Sequence, residues 1–224
     1  MTPHDVSVII PTLNEASNLA AAVESAKQAG AGEVIVSDGG SSDATLEIAR
    51  VAGVDKLVRS FPGRGTQLAS GLRVADRDVV LLLHADNRLG LDALNQICQC
   101  GDFLWGAFEQ RIDSSRAIYR WVERGNNARV RYRSVAFGDQ AIFANRSLLK
   151  KYGGIAEVPL MEDVELSTRL RKIDKPRLLP GPVTISDRRW RQNGVVRQTL
   201  HNWSLQVRFA LGASPETLAK SYRS

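Results

Sequence analysis

The sequence predicts an α/β protein with a central, mostly parallel sheet flanked by helices and amphipathic helices near the C-terminus. Short β-branched or apolar runs alternate with helical patterns through residues 6–83. Val79–Leu83 is apolar at every position, as in a strand covered on both faces. Val196, Leu200, Trp203, Val207 and Leu211 recur at helical spacing near the end of the chain.

The elements follow in order. Val6–Ile10 is a strand ended by Pro11, and a helix is expected from Glu15 to Ala29, stopped by Gly30. Glu33–Ser37 is a second strand. Ser42 or Asp43 is suited to cap a helix that stops near Gly53. Leu57–Val58 is a short strand, Gly63 to Ala75 a helix, and Val79–Leu83 the fourth strand. The second half is less regular. Trp105–Ile112, Ala141–Ala144 and Val183–Ser186 read as strands. Arg116–Arg133, Glu162–Lys172 and Gly194–Leu211 read as helices, with a last short helix after Ser214-Pro215. No linker or repeat interrupts the chain, so residues 1–224 are expected to form one domain around a shared sheet.

Charge is divided along this frame. The net is +6, but residues 1–110 hold 8 Lys/Arg against 14 Asp/Glu, and residues 111–224 hold 22 against 10. The halves therefore carry −6 and +12, and the basic half is expected to meet something anionic. Nucleic acid is a poor partner, because aromatics are only 6% and no motif interleaves them with basic residues. Cys98 and Cys100 lie too close for an ordinary disulfide, and three histidines are too few to suggest a His/Cys metal site, so the chain reads as reduced and cytoplasmic. No signal peptide is recognisable at Met1-Thr-Pro-His-Asp5, and no run reaches the roughly 18 apolar residues of a membrane span.

Ligands of such sheets bind beyond the carboxyl ends of the strands. There stand Pro11-Thr12-Leu13-Asn14-Glu15, Asp38-Gly39-Gly40 and His84-Ala85-Asp86. Asp38 either accepts hydrogen bonds from a nucleoside or closes a turn. Asp86, emerging from an apolar strand, suits Mg²⁺ or Mn²⁺ completed by water and phosphate. Arg64 opens a helix near the third strand end and either reaches a diphosphate or lies in solvent. Neither a Gly-x-Gly-x-x-Gly after the first strand nor a Walker A sequence is present, so phosphate binding falls to metal and basic side chains.

Val6-Ser-Val-Ile-Ile-Pro-Thr-Leu-Asn-Glu15, Val36-Ser-Asp-Gly-Gly-Ser-Ser-Asp-Ala-Thr45 and Leu81-Leu-Leu-His-Ala-Asp86 resemble, in order and spacing, the nucleotide-sugar half of family 2 glycosyltransferases of the GT-A fold. Phe137-Gly-Asp-Gln-Ala-Ile-Phe143, Pro159-Leu-Met-Glu-Asp-Val-Glu-Leu166 and Arg188-Arg-Trp190 extend it toward the small "transferase 2" subgroup associated with radical-SAM and arsenosugar genes. The resemblance implies an inverting, metal-dependent transfer of sugar from a nucleotide-sugar to an acceptor hydroxyl. Residues 1–110 would form the donor half and 111–224 the acceptor half.

It also implies roles. Pro11, Thr12, Leu13, Glu15 and Asp38 would hold the nucleoside, with Arg64, His84 and Ala85 beside it. Asp86 would bind the Mg²⁺ or Mn²⁺ and diphosphate. Asp163, next to Glu162, would be the catalytic base. Asp139 and Gln140 would line the acceptor pocket, and Arg189 and Trp190 would match the end of a Gln-x-x-Arg-Trp motif. Two positions depart from the pattern: His84 replaces the first Asp of Asp-x-Asp, and Ser186 replaces the processive Gln. The acceptor is expected to be a small molecule or a lipid-linked one. Peripheral contact with the inner membrane face and a homodimer are both compatible with the basic half and the last amphipathic helix. The rival readings are a nucleotidyltransferase, which lacks its Gly-rich loop here, and a non-catalytic nucleotide-binding or membrane-surface module.

Overall fold

The computed structural model describes residues 1–223, with side chains for all of these except Arg189, Lys220, Tyr222 and Arg223. Eight strands form one sheet in the order β3-β2-β1-β4-β7-β6-β8-β5. These are β1 (Val6–Thr12), β2 (Glu33–Asp38), β3 (Lys56–Arg59), β4 (Val79–Leu82), β5 (Asn87–Leu89), β6 (Trp105–Ile112), β7 (Phe143–Asn145) and β8 (Arg177–Ile185). Strands β1–β4 are mutually parallel, as the alternating pattern requires. β7 then runs antiparallel to both β4 and β6, so the second half joins the first through one reversed strand. β8 is parallel to β6, and β5 pairs antiparallel with β8 at the far edge.

Side chains alternate across the sheet and feed two cores. Val8, Ile10 and Leu81 pack with α1 (Leu19–Gln28) and α4 (Ala93–Gln99). Ile9, Val80 and Leu82 pack on the other face with α3 (Arg64–Val74) and α7 (Glu162–Leu170). Helix α3 comes close to β1 because Gly71 has no side chain: a Cβ there would collide with Ile9. A third, smaller cluster joins Leu160 and Met161, at the entry to α7, with Leu205 of α9 (Val195–Ala210) and Leu218 of α10 (Pro215–Arg223).

Several boundaries differ from expectation. Helix α1 begins at Leu19, not Glu15. The backbone N–H groups of Asn14, Glu15 and Ala16 donate instead to Ser41, Thr45 and Asp43 of the neighbouring loop. Helix α2 (Thr45–Val51) accordingly has Ala44 at its N-cap, with the Asp43 carboxylate accepting from Thr45 N–H. β8 starts six residues before the expected Val183, and its register against β6 is irregular between Phe108 and Gln110, where Pro180-Gly181-Pro182 passes. β5, α4, α6 (Arg146–Lys151) and α8 (Arg188–Asn193) are additional elements. The remaining long helix is α5 (Ala117–Arg133). Among the described residues no helix is long and apolar enough to cross a membrane.

Candidate active site

A cleft of about 470 Å³ opens beyond the carboxyl ends of β1 and β4. β1 delivers Pro11, Leu13 and Glu15; the turn after β4 delivers His84, Ala85 and Asp86. Arg64 and Gln67 enter from the first turns of α3, Phe137 and Asp139 from the loop before β7, and Asp163 from the start of α7. Trp190 of α8 and Trp203 of α9 complete the far wall. The cleft thus brings together ten of the expected residues: Pro11, Leu13, Glu15, Arg64, His84, Ala85, Asp86, Asp139, Asp163 and Trp190.

Thr12, Asp38, Gln140 and Glu162 do not line it, and the side chain of Arg189 lies outside the described residues. Asp38 is fully buried. Its oxygens accept from the N–H groups of Gly40 and Ser41, each at 2.9 Å, from the Ser41 hydroxyl, and from Thr12 Oγ1 at 3.1 Å. Burial raises its pKa, but these hydrogen bonds outweigh burial and hold it below the ordinary carboxylate value. Asp38 therefore shapes the loop that flanks the cleft. Gln67 does similar work, donating to the carbonyls of Thr12 and Ser37 from a buried position.

The chain enters α7 through Met161, whose φ of 67° is left-handed, a conformation costing a β-unbranched residue about 1–3 kcal/mol. That bend places the next two carboxylates on different tasks. Glu162, 1% exposed, takes a bidentate pair from Arg64, through Nε and, at 3.2 Å, Nη2. Burial opposes the Arg64 charge, but Glu162 and Asp163 overcome it and hold the guanidinium above its ordinary pKa. Burial also raises the pKa of Glu162, although Arg64 pulls against it. Asp163 turns to the cleft. Its Oδ2 accepts from Gly138 N–H at 2.8 Å, with Arg64 Nη2 3.5 Å away, and its Oδ1 accepts from Val164 N–H at 2.8 Å. The first turn of a helix also favours an ionised carboxylate.

Asp139 is the second acid. Its Oδ1 is buried with no hydrogen-bond partner among the described residues. Burial pushes its pKa up to about 6, with Arg129 pulling down and Asp163 pushing up. Arg129 sits with its guanidinium 3.4 Å from the Phe137 ring centroid and donates to Gln140 Oε1 at 2.9 Å. Burial lowers the Arg129 pKa to about 10. Gln140 thus orients Arg129 from behind the wall. Gly138 fits tightly against His84: a Cβ there would strike the imidazole and lie 3.3 Å from Asp163 Oδ2. Trp190, nearly buried, packs edge-on against Tyr119 at 6.0 Å.

Among the described residues no three His, Cys, Asp or Glu gather closely enough to cage a metal ion. What the cleft does contain is Asp86, and Asp139 with its orphaned oxygen. One or two carboxylates fit Mg²⁺ or Mn²⁺ when substrate phosphates and water supply the other positions.

The same architecture occurs in other solved structures. The chain is similar to S. aureus TarS 1–349 in complex with UDP-GlcNAc, with a TM-score of 0.66 at 17% identity over 83% of this chain and 58% of that one. It is similar to glucosyl-3-phosphoglycerate synthase from Mycobacterium tuberculosis, in complex with Mn²⁺, UDP and glucosyl-3-phosphoglycerate, with a TM-score of 0.55 at 18% identity over 81% and 70%. The fold is GT-A. Residues 7–99 of this GT-A chain match the family model Glycosyl transferase family 2. A stretch of 64 residues is 41% identical to the glycosyltransferase AglJ of Haloferax volcanii, covering 29% of this chain and 21% of that protein. The match therefore spans about a fifth of the length of that relative.

Residues outside the expected set also line the cleft. Val122 and Asn126 come from α5, and Arg188, Gln198, Asn202 and Trp203 from α8 and α9. Asn126 and Asn127 were visible as uncharged polar residues inside an arginine-rich helix, a break that marks an inward face.

Proposed function

We propose that the chain is an inverting, divalent-cation-dependent glycosyltransferase acting on a nucleotide-sugar. The observation that carries this is the convergence of Asp86, Asp139 and Asp163 with Arg64 in one cleft at the strand ends of a GT-A sheet. The match over residues 7–99 supports it, as do the neighbours solved with UDP-GlcNAc and with UDP and Mn²⁺. The motifs around Phe137–Phe143 and Pro159–Leu166 lie outside that match and support the small transferase subgroup. Residues 1–110 act as the donor half and 111–224 as the acceptor half.

Asp163 is the base. It removes the proton of the acceptor hydroxyl as that oxygen attacks the anomeric carbon from the side opposite the leaving group. The bond from that carbon to the diphosphate breaks, and the nucleoside diphosphate leaves with the electron pair. Backbone donors at Gly138 and Val164 fix the Asp163 carboxylate without using all its lone pairs. Asp86, beside His84, would hold the cation, which would supply charge neutralisation for the departing diphosphate. Arg64, tied to Glu162, fixes the start of α7 and keeps its guanidinium 3.5 Å from the Asp163 carboxylate. The loop of Pro11, Leu13 and Glu15, braced by Asp38, holds the nucleoside.

The test is a nucleotide-sugar panel read by thermal shift with and without Mn²⁺, followed by donor hydrolysis. At least one donor should raise the melting temperature, and more so with metal. Absence of both binding and hydrolysis for every UDP-, GDP- and TDP-sugar refutes the reading.

A further inference from the structure

Helix α9 has two apolar faces, and only one is used. Leu205 and Phe209 turn inward onto Leu160, Met161 and Leu218. Val196, Leu200, Trp203, Val207 and Leu211 recur every three or four residues on the opposite side and form one stripe. All five are between 56% and 83% exposed. A soluble helix normally turns polar residues outward, and a contiguous exposed stripe of this kind marks a contact surface.

The charges beside the stripe choose its occupant. From Arg188 to Pro215 the chain contains five arginines, at 188, 189, 191, 197 and 208, and not one Asp or Glu. Arg197 and Arg208 are both exposed and follow the stripe along one side by helical spacing. Arg191 is paired with Asp187, while Arg197 and Arg208 flank the stripe, so a second copy laid face to face on α9 would set these two arginines against their own kind. A bilayer with anionic headgroups meets both features, taking the apolar stripe to the acyl boundary and the guanidinium groups at the headgroups. We propose that the outer face of α9 docks on an anionic lipid membrane.

Trp203 belongs to both the stripe and the cleft lining. Docking therefore sets the mouth of the cleft at the lipid surface, with α9 lying in the plane of the membrane. The inference goes beyond the proposed transfer reaction, and a vesicle assay reads no sugar transfer, so either can fail alone.

The experiment is sedimentation of the full chain with vesicles of phosphatidylcholine, alone or mixed with phosphatidylglycerol. Binding is expected only with phosphatidylglycerol present, and salt should weaken it. The double variant Leu200→Gln/Val207→Gln, outside the cleft lining, should lose roughly tenfold or more in partitioning, because two apolar insertions are removed. Its melting temperature should stay that of the parent, since both positions are exposed. Equal binding to both vesicle types overturns the proposal, as does unchanged binding of the double variant. So does a dimer in size-exclusion chromatography that the double variant converts to monomer without any vesicle binding.

Discussion

Asp139 and Asp163 are two carboxylates of one cleft with different surroundings, and their side chains should be separable by experiment. Asp163→Asn keeps the shape but removes the base, so transfer should fall by roughly 10²–10⁴-fold while nucleotide binding, read by thermal shift, persists. Asp139 is a case of linkage. Its folded pKa of about 6 exceeds the 3.8 of an ordinary aspartate, so between the two the folded state holds a proton that the unfolded state has released. Stability contributed by that proton is full below the lower value and is lost as pH rises toward the upper one. Asp139→Asn should abolish this decline. By differential scanning calorimetry the variant should gain on the order of 2–3 kcal/mol over the parent between acidic and neutral pH. An unchanged difference across that range would show that Asp139 ionises freely. Burial of this kind leaves no trace in the sequence, where Asp139 is one acid after a glycine.

At the scale of elements, the Arg64–Glu162 pair is the joint between α3 and α7. Removing Arg64 leaves a carboxylate that is 1% exposed without its counter-charge. Arg64→Ala should therefore cost about 3–5 kcal/mol in chemical denaturation. Arg64→Ala/Glu162→Ala should cost less than the sum of the single variants, because neither partner is stranded. The sequence showed both residues but not their union, because 98 positions separate them. It placed the first four strands well, since three of them, β1, β2 and β4, are apolar runs that open just after a Gly or Asp. It failed where an element is short or carries an unfavourable residue. β5 is three residues long, and β8 runs through Pro180 and Pro182, which mark a break in a pattern reading. The late start of α1 was hidden for another reason: Glu15 looks like a first-turn acid, yet its backbone is committed to Thr45.

For the whole molecule, the −6 and +12 halves interleave in one sheet, because β5 and β6 of the acidic half lie beside β7 and β8 of the basic half. The arginines of α5 divide between roles. Arg129 turns inward, Arg120 donates to the carbonyls of Ile112 and Ser114, and Arg124 lies over Trp121. The proposed metal should be visible globally. Chelation by EDTA should lower the thermal shift produced by a nucleotide diphosphate, and Mn²⁺ should restore it. Asp86→Ala should make the shift insensitive to either treatment. If parent and Asp86→Ala respond alike, the cation is held elsewhere.

The two outermost strands of the sheet, β3 and β5, have only four and three residues, and Lys56, Arg59 and Arg88 decorate them. A free strand edge recruits other strands in proportion to its length and flatness, and charged stubs recruit poorly. The sheet therefore offers a poor template for growth by strand addition. Its helices offer the larger contact surface, and a destabilised variant should remain soluble longer than the size of its sheet would suggest.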